Sequence, residues 1–355
     1  MTPRAATQAK SLLAMASRRL HTSDPSVALD RVLEHALPLP VGHRAYSRAR
    51  LPEPQYSETA GDHLALVMST GGPGATPDDH LESARQTQRD LVDRHYGRVA
   101  VHWLDGRTEA LRGRGTQRRW GGWFGGAFDG RGMSESFATF EWGPQLMDGL
   151  PAPLFRLAQT ALESLPGLRP AFSTIRCGRQ SGSQQLTFDV DRALPLVDLR
   201  PLMDRMNLGP QHASLVSACA FALGARFVLP PGSATITLRP TRVGAELRLD
   251  VNLDAVPDAP SQLMSLLRMQ MAERPRSLRA FDRWTAALTP DGYDAPGAPS
   301  VLSVGARPDM PVARVALYLR PAVFDGRDEG EAHDVEELSL RHHHHAPVSA
   351  WAPRG

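Results

Sequence analysis

The chain has 355 residues, 41% of them hydrophobic, which is enough for a sizeable core in one large domain or two ordinary ones. With 40 basic and 38 acidic residues its formal net charge is +2, which excludes a bulk electrostatic attraction to nucleic acid or an anionic membrane. Lys10 is the only lysine, so a phosphate site must be built from arginine, whose planar guanidinium binds oxyanions with two parallel hydrogen bonds.

Cysteine usage and hydropathy indicate the compartment. The two cysteines, Cys177 and Cys219, lack the spacing of a disulfide framework, and we expect a reducing, cytoplasmic location. The least charged stretch, between Arg205 and Arg226, falls short of the roughly 20 apolar residues that span a bilayer, so no transmembrane helix is predicted. Residues 1–25 predict an amphipathic or frayed N-terminal helix, because no apolar segment of signal-peptide length is present.

The N-terminal half predicts two units, each with one helix followed by two strands. The helices cover 26–37 and 78–96, and the strands cover 43–51, 62–70, 98–105 and 134–142. The glycine-rich segment 113–132 precedes the last of these strands and predicts an irregular loop.

The C-terminal half repeats the same order three times, with helices followed by hairpins whose strands are joined by turn residues. The helices cover 151–165, 194–206, 211–224, 260–275 and 278–290; the strands cover 171–179, 184–191, 226–229, 234–240, 245–253, 300–308 and 313–321. Beyond residue 324, an acidic run and a histidine tract predict a disordered tail. We therefore expect one domain over 26–324 and a tail over 325–355.

Strands joined by tight turns run antiparallel, so about five hairpins with intervening helices predict an α+β fold with one antiparallel sheet. The strand 245–253 separates its faces: Leu247 and Leu249 lie on one, and Arg248 and Asp250 on the other. Helices must cover the apolar faces. The polar faces either meet water across an open sheet or meet each other inside a barrel, for which about ten strands suffice.

Two segments, Gly132–Trp142 and Ala313–Pro321, resemble the αββα aromatic prenyltransferases, in particular their dimethylallyltryptophan-synthase-like branch. The resemblance implies a ten-stranded antiparallel barrel of repeated αββα units (the PT barrel), with helices outside and the active site in the polar lumen. It also implies an activity: transfer of a dimethylallyl or similar group from an allylic diphosphate to an indole, a phenol or an aromatic residue of a peptide, in specialised metabolism.

The resemblance also implies roles for particular residues. Glu135 follows a glycine-containing turn in an early strand, where the family places the carboxylate that takes a proton from the aromatic acceptor, and Glu141 is its rival. Lumen-facing strands of the family carry cations and tyrosines at alternate positions. Arg314 and Tyr318 match this pattern, and Arg176 and Arg248 match it with arginine alone; the three arginines are then the diphosphate ligands. The chain departs from the family in having only five tyrosines, so the carbocation shield would be Tyr318 and Phe137, with Trp103 as a further aromatic candidate.

No cofactor is required under this interpretation; the allylic diphosphate is a co-substrate, and Mg²⁺ can take part without being needed. No metal site is predicted. The adjacent pair Asp78 and Asp79 follows Pro77, where acids favour a helix start, and the histidines 342–345 lie in the tail, which lacks fixed geometry. The expected partner is a small-molecule or peptide aromatic substrate, with no nucleic acid or membrane.

The alternative is a non-catalytic barrel or open-sheet protein that binds a hydrophobic ligand or a partner protein. A strand arginine most often lies on a solvated face or pairs with a neighbouring acid, as Arg248 would with Glu246 or Asp250. The two interpretations differ in one testable respect: the enzyme requires Arg176, Arg248 and Arg314 to point into a single cavity.

Overall fold

A computed structural model describes residues 3–43, 46, 51–59, 63–109, 118–143 and 147–324. The histidine tract and the rest of 325–355 lie outside the described residues, as does most of the strand predicted over 43–51.

Ten strands close into one antiparallel barrel, which confirms the predicted fold class. The barrel order is β1-β12-β11-β10-β9-β6-β5-β4-β3-β2, and β7 and β8 form a separate two-stranded sheet. The strands are β1 (Glu53–Ser57), β2 (Leu64–Met68), β3 (Gly122–Asp129), β4 (Gly132–Glu141), β5 (Leu168–Gly178), β6 (Gly182–Val190), β7 (Leu194–Pro195), β8 (Val228–Leu229), β9 (Ala234–Thr241), β10 (Gly244–Asn252), β11 (Gly297–Ala306) and β12 (Arg314–Pro321).

The helices lie outside the barrel, against the apolar strand faces. They are α1 (Ala5–Leu20), α2 (Pro25–Ala28), α3 (Asp30–Ala36), α4 (Pro77–Tyr96), α5 (Arg98–Thr108), α6 (Ala152–Ser164), α7 (Arg200–Arg205), α8 (His212–Ala222), α9 (Leu263–Gln270) and α10 (Pro275–Leu288). Among the described residues, no helix is long and apolar enough to span a bilayer.

The strand alternation positions the core outside the barrel wall. Leu247, Leu249 and Val251 of β10 are fully buried, and they belong to the cluster that also contains Leu317 of β12 and Phe281 of α10. The opposite faces of the same strands point into the lumen. Because the sheet closes on itself, all these polar faces meet one another, and the open-sheet alternative is excluded.

The N-terminal segment belongs to the same core. Ala5, Ala9, Leu13 and Ala16 of α1 are fully buried, and α1 packs against α10. Arg19 links α1 to the C-terminal end of α10, since its Nη1 donates to the Thr289 carbonyl over 2.6 Å. The segment that the sequence allows as an amphipathic or a frayed helix is thus an ordered outer helix of the barrel.

Two local predictions were wrong. Residues 98–105 form α5 rather than a strand, because Val101, Leu104 and Thr108 recur at helical spacing and are buried against the barrel. The glycine-rich segment contains β3, which was predicted as a loop. A Cβ atom on Gly125 would lie 2.1 Å from the Phe137 ring, so glycine there allows that ring to fill the lumen between two barrel strands.

Candidate active site

The lumen contains an open cavity of about 670 Å³ at one end of the barrel. At the other end the lumen is filled by side chains. Trp123 and Phe172 pack edge to face with ring centroids 5.6 Å apart, and the same buried cluster contains Val67, Phe137, Ala171, Val301 and Tyr318. The barrel therefore has an open and a closed end.

Arg176, Arg248 and Arg314 all line this cavity. They stand on β5, β10 and β12, which are not all neighbours in the barrel, so the convergence requires the closed sheet. Arg314 and Arg248 flank the same glycine, Gly305 of β11, in the register of the sheet. With no side chain at position 305, the space between the two guanidinium groups stays open.

Glu135 and Arg176 form a two-pronged ion pair across neighbouring strands. Arg176 Nε donates to Glu135 Oε1 over 2.9 Å, and its Nη2 donates to Oε2. The guanidinium carbon lies 4.5 Å from the centroid of the Phe137 ring. Burial alone would raise the pKa of Glu135, but the charge and hydrogen bonds of Arg176, together with the charges of Arg239 and His63, hold that pKa below its ordinary value. Glu135 is therefore an ionised carboxylate in the cavity wall.

Only one nitrogen of the Arg248 guanidinium, its Nε, contacts a protein acceptor among the described residues. Its Nε lies 2.9 Å from Oδ1 of Asp250, and within the described residues its terminal nitrogens donate to no protein group. Asp250 is buried and also accepts hydrogen bonds from Thr237 and Ser303. Because Asp250 is satisfied from several sides, Arg248 can turn its remaining donors to a ligand and keep its position.

Arg314 is held more loosely. Its Nη1 is 3.9 Å from Glu58 Oε1, beyond hydrogen-bond distance. Glu58 accepts the backbone N–H of Val315 over 2.7 Å and lies 3.4 Å from the Nε of Arg274. Glu58 is thus supported without Arg314, whose guanidinium is available to an anion in the cavity.

Further charged pairs that sequence reasoning did not assign to the site line the same cavity. Arg239 and Glu246 pair across β9 and β10, with Nε 3.1 Å from Oε2. Arg179 and Asp129 form a two-pronged pair at the mouth, at 2.6 and 2.7 Å. The alternation of β9 contained the signal for Arg239, which shares a face with Thr235 and Thr237. Which acid each arginine meets depends on strand register, which the sequence alone does not reveal.

The cavity continues into a smaller pocket of about 30 Å³ deeper in the lumen. Phe137 and Tyr318 form its aromatic walls, and Arg176 and Arg248, which line the large cavity, line this pocket as well. Its remaining wall carries four threonine hydroxyl groups together with Gln185 and Asp250, and the Thr139 and Thr174 oxygens lie 2.8 Å apart. Burial raises the pKa of Tyr318, so its phenol stays protonated near neutral pH. The two aromatic residues predicted as a shield thus lie beside two of the predicted diphosphate ligands.

The other two candidates lie elsewhere. The carboxylate of Glu141 accepts hydrogen bonds from the backbone N–H groups of 119, 120 and 121, at 2.6 to 3.0 Å, and does not line the cavity. Trp103 lies on α5, outside the barrel; its ring occupies the place where a Cβ of Gly182 would be. In the described part of the chain, no three histidine, cysteine or acidic side chains form a group fit to hold a metal ion.

The site combines three chemical capacities in one lumen. Arginines on three strands can bind an oxyanion that bears several negative charges. Two aromatic rings adjoin them and can stabilise a cation, by roughly 0.5 to 2 kcal/mol each according to desolvation. An ionised carboxylate, Glu135, lines the same cavity and can accept a proton.

Comparison with known proteins shows which solved structures share this fold. No family model and no curated protein matches the sequence. Among solved structures, the chain is similar to 6-dimethylallyltryptophan synthase from Micromonospora olivasterospora in complex with DMASPP and Trp, with a TM-score of 0.71 and 16% identity over 89% of this chain and 97% of that one.

Two further solved structures show the same likeness. The 5-dimethylallyl tryptophan synthase from Streptomyces coelicolor matches with a TM-score of 0.70 and 16% identity, over 95% of this chain and 100% of that one. AnaPT from Neosartorya fischeri matches with a TM-score of 0.54 and 13% identity, over 82% and 86%. At such identities the likeness concerns the fold, and it agrees with the ten-stranded closed barrel: this chain has the PT-barrel fold of the aromatic prenyltransferases.

Proposed function

We propose that the chain is an aromatic prenyltransferase that moves a dimethylallyl or similar group from an allylic diphosphate to an indole, a phenol or an aromatic residue of a peptide. The observation that carries the proposal is the convergence of Arg176, Arg248 and Arg314 on one cavity, beside Phe137 and Glu135. The fold shared with tryptophan prenyltransferases supports it.

The diphosphate binds the arginines through donors that the protein leaves open. Arg248 offers its terminal nitrogens and Arg314 its whole guanidinium, whereas Arg176 keeps two donors on Glu135. The allylic C–O bond then breaks and both its electrons leave with the diphosphate. Fixed cations stabilise the charge that develops on the leaving oxygen, so they assist the transition state more than the bound donor.

The allylic cation is stabilised by the rings of Phe137 and Tyr318 until the electron-rich ring of the acceptor attacks it. A new bond forms between an allylic carbon of this cation and the acceptor, and the acceptor loses one proton. Glu135 accepts this proton in our proposal, since its carboxylate is ionised and lines the cavity. Arg176 positions that carboxylate and reaches the deep pocket as well.

The proposal is tested by incubating the purified protein with dimethylallyl diphosphate and a pool of tryptophan, tyrosine, indoles, phenols and aromatic peptides, followed by mass spectrometry. We expect a product heavier by one prenyl group, with and without a chelator. Calorimetry with the diphosphate donor alone separates binding from chemistry. Absence of both product and saturable donor binding would overturn the proposal in favour of a non-catalytic barrel.

A further inference from the structure

Arg314 differs from other cavity arginines in where its acid lies. Arg176, Arg179 and Arg239 each pair with an acid that lines the cavity as they do. Glu58, the acid beside Arg314, does not line the cavity, although the residues before and after it do. Its side chain has no exposed surface. The charge that faces Arg314 from the protein is therefore hidden behind the cavity wall.

One carboxylate oxygen of Glu58 is fixed, and the other lacks a hydrogen bond. Oε2 accepts the Val315 N–H over 2.7 Å, and the Glu58 N–H donates to the Val315 carbonyl over 3.1 Å. Oε1 is closed off from solvent and accepts no hydrogen bond in the described part of the chain. Two cations face it, Arg274 Nε at 3.4 Å and Arg314 Nη1 at 3.9 Å. The charge of Oε1 is thus shared between two guanidinium groups.

The two arginines differ in how firmly they are held. Arg274 also donates to the backbone carbonyls of Ala313 and Gln270, over 3.3 and 3.4 Å. Arg314 lines the cavity and, in the part of the chain that the structure describes, donates to no protein group. A movement of about 1 Å towards Oε1 would bring its Nη1 to hydrogen-bond distance. The Arg314 guanidinium can therefore turn either to Glu58 or to an anion in the cavity.

We propose that Glu58 is a positioning residue that competes with the diphosphate for Arg314. In the empty cavity, the guanidinium turns to Oε1. When a diphosphate binds, the guanidinium turns to it, and Arg274 remains to neutralise Glu58. The affinity for the diphosphate is reduced by the fraction of time that Arg314 spends at Glu58. Because the same competition acts on the diphosphate product, Glu58 helps this product to leave after the transfer. This inference rests on the proposed prenyl transfer.

Calorimetry with inorganic diphosphate, together with the KM for dimethylallyl diphosphate, tests the competition. Glu58→Gln removes the charge and keeps an oxygen for the Val315 N–H. We expect the Kd of diphosphate and the KM of the donor to fall about three- to tenfold, which corresponds to Arg314 spending about 70 to 90% of its time at Glu58. A residue that only supported the strand would not tighten the binding of an anion when it is replaced.

Arg274→Gln should act in the opposite direction. It leaves Arg314 to face Oε1 without competition from Arg274, so Arg314 should spend more of its time at Glu58 and the Kd of diphosphate should rise about two- to fivefold. Arg274 does not line the cavity, so the variant removes no contact to the ligand. This variant also tests the competition if Glu58→Gln does not fold.

The same two variants in an Arg314→Gln background separate competition for Arg314 from a general effect of charge. Arg176 and Arg248 still line the cavity there, so diphosphate binding stays measurable. With Arg314 absent there is nothing to compete for, and Glu58→Gln and Arg274→Gln should each change the Kd less than about twofold.

The matched control is Asp309→Asn, which removes the acid that pairs with another cavity arginine, Arg307, at 2.7 Å. It should change the Kd less than about twofold, because that pair is partly exposed. The inference is overturned if Glu58→Gln weakens diphosphate binding or leaves it unchanged, or if its effect is the same with and without Arg314. Failure of the proposed function looks different, since the native protein then neither binds the donor saturably nor prenylates an acceptor.

Discussion

The open and closed ends of the barrel arise from the same alternation of strand residues, yet they differ in how polar groups are satisfied. At the open end, cations and acids pair along the cavity wall, as Arg176 does with Glu135 and Arg239 with Glu246, and each pair keeps donors or acceptors facing the cavity. At the closed end, aromatic rings fill the lumen, and the acid Glu53 is only 2% exposed.

Glu53 shows how burial in the filled part of the lumen changes the pKa of a carboxyl group. Ser300 donates to its Oε2 over 3.0 Å, while its Oε1 has no hydrogen-bond partner among the described residues. Burial raises the pKa of Glu53 from the ordinary 4.5 to about 7, although the positive charge of Arg320 acts in the opposite direction. Glu135, in contrast, has a lowered pKa, because it faces Arg176 beside an open cavity. Both acids have an arginine nearby, so the difference lies in the balance: burial outweighs Arg320 at Glu53, whereas the charges around Glu135 outweigh its burial.

The largest effect is expected where an open-end cation meets the donor. Arg248→Gln removes a charge that stabilises the leaving diphosphate and should lower turnover about 100- to 1000-fold. Asp250 keeps its hydrogen bonds from Thr237 and Ser303, so the fold should survive. Turnover of a dimethylallyl donor, together with the melting temperature, measures the effect.

Arg268→Gln is the matched control for that prediction. Arg268 pairs with Asp282 on the outer helices, where both side chains are about half exposed. Exposed ion pairs contribute about 0–1 kcal/mol, so neither turnover nor stability should change appreciably. Equal losses in the two variants would mean that Arg248 acts through the fold and not through the donor.

The closed end should respond to pH through Glu53. The folded state binds the Glu53 proton more tightly than the unfolded chain, because the folded pKa is the higher one. This contribution to stability is complete below about pH 4.5, falls as the pH rises towards 7, and is lost above that value. The shift corresponds to about 3 kcal/mol.

Glu53→Gln removes this titration. The variant should therefore match the native protein at pH 4 and exceed its free energy of unfolding by up to about 3 kcal/mol at pH 8. Urea unfolding at both pH values measures the difference. A gap that is the same at pH 4 and pH 8 would show that Glu53 does not titrate between them.

The sequence predicts the architecture well because strand alternation is local. The spacing of Leu247, Leu249 and Val251 predicts an outward apolar face. Arg248, on the other face, lies in the lumen, as predicted. Sequence-based prediction fails where contacts between distant parts of the chain determine the secondary structure or the partner of a side chain. Gly125 lies in a strand although glycine disfavours strands, and glycine is needed there because a Cβ would overlap the Phe137 ring. Trp103 lies on a helix whose buried residues pack against the barrel. Ion-pair partners such as Glu246 for Arg239 depend on register between strands.

The open-end acid should matter for chemistry more than for binding. Glu135→Gln keeps the shape and removes the proton acceptor, so we expect prenyl transfer to slow about a hundredfold while donor affinity stays within a few-fold. The pKa of Glu135 lies below its ordinary value, so in the native enzyme transfer should lose no activity to Glu135 protonation between about pH 6 and 8. An acid limb near pH 7 in the native rate profile that disappears in Glu135→Gln would contradict this.

The smallest effect is expected at the boundary between the two ends. Phe137 lines both the open cavity and the deep pocket, and it carries the Arg176 guanidinium on its ring at 4.5 Å. Phe137→Leu removes the ring face that stabilises the allylic cation, which corresponds to roughly 0.5 to 2 kcal/mol, or about a 2- to 30-fold slower transfer. Because Leu also leaves room for water beside the cation, the share of donor that ends as prenyl alcohol should rise. Chromatography of prenyl alcohol against prenylated acceptor measures this share, with the exposed Phe221→Leu on α8 as the control. If transfer slows while the alcohol share stays constant, Phe137 supports Arg176 and does not shield the cation.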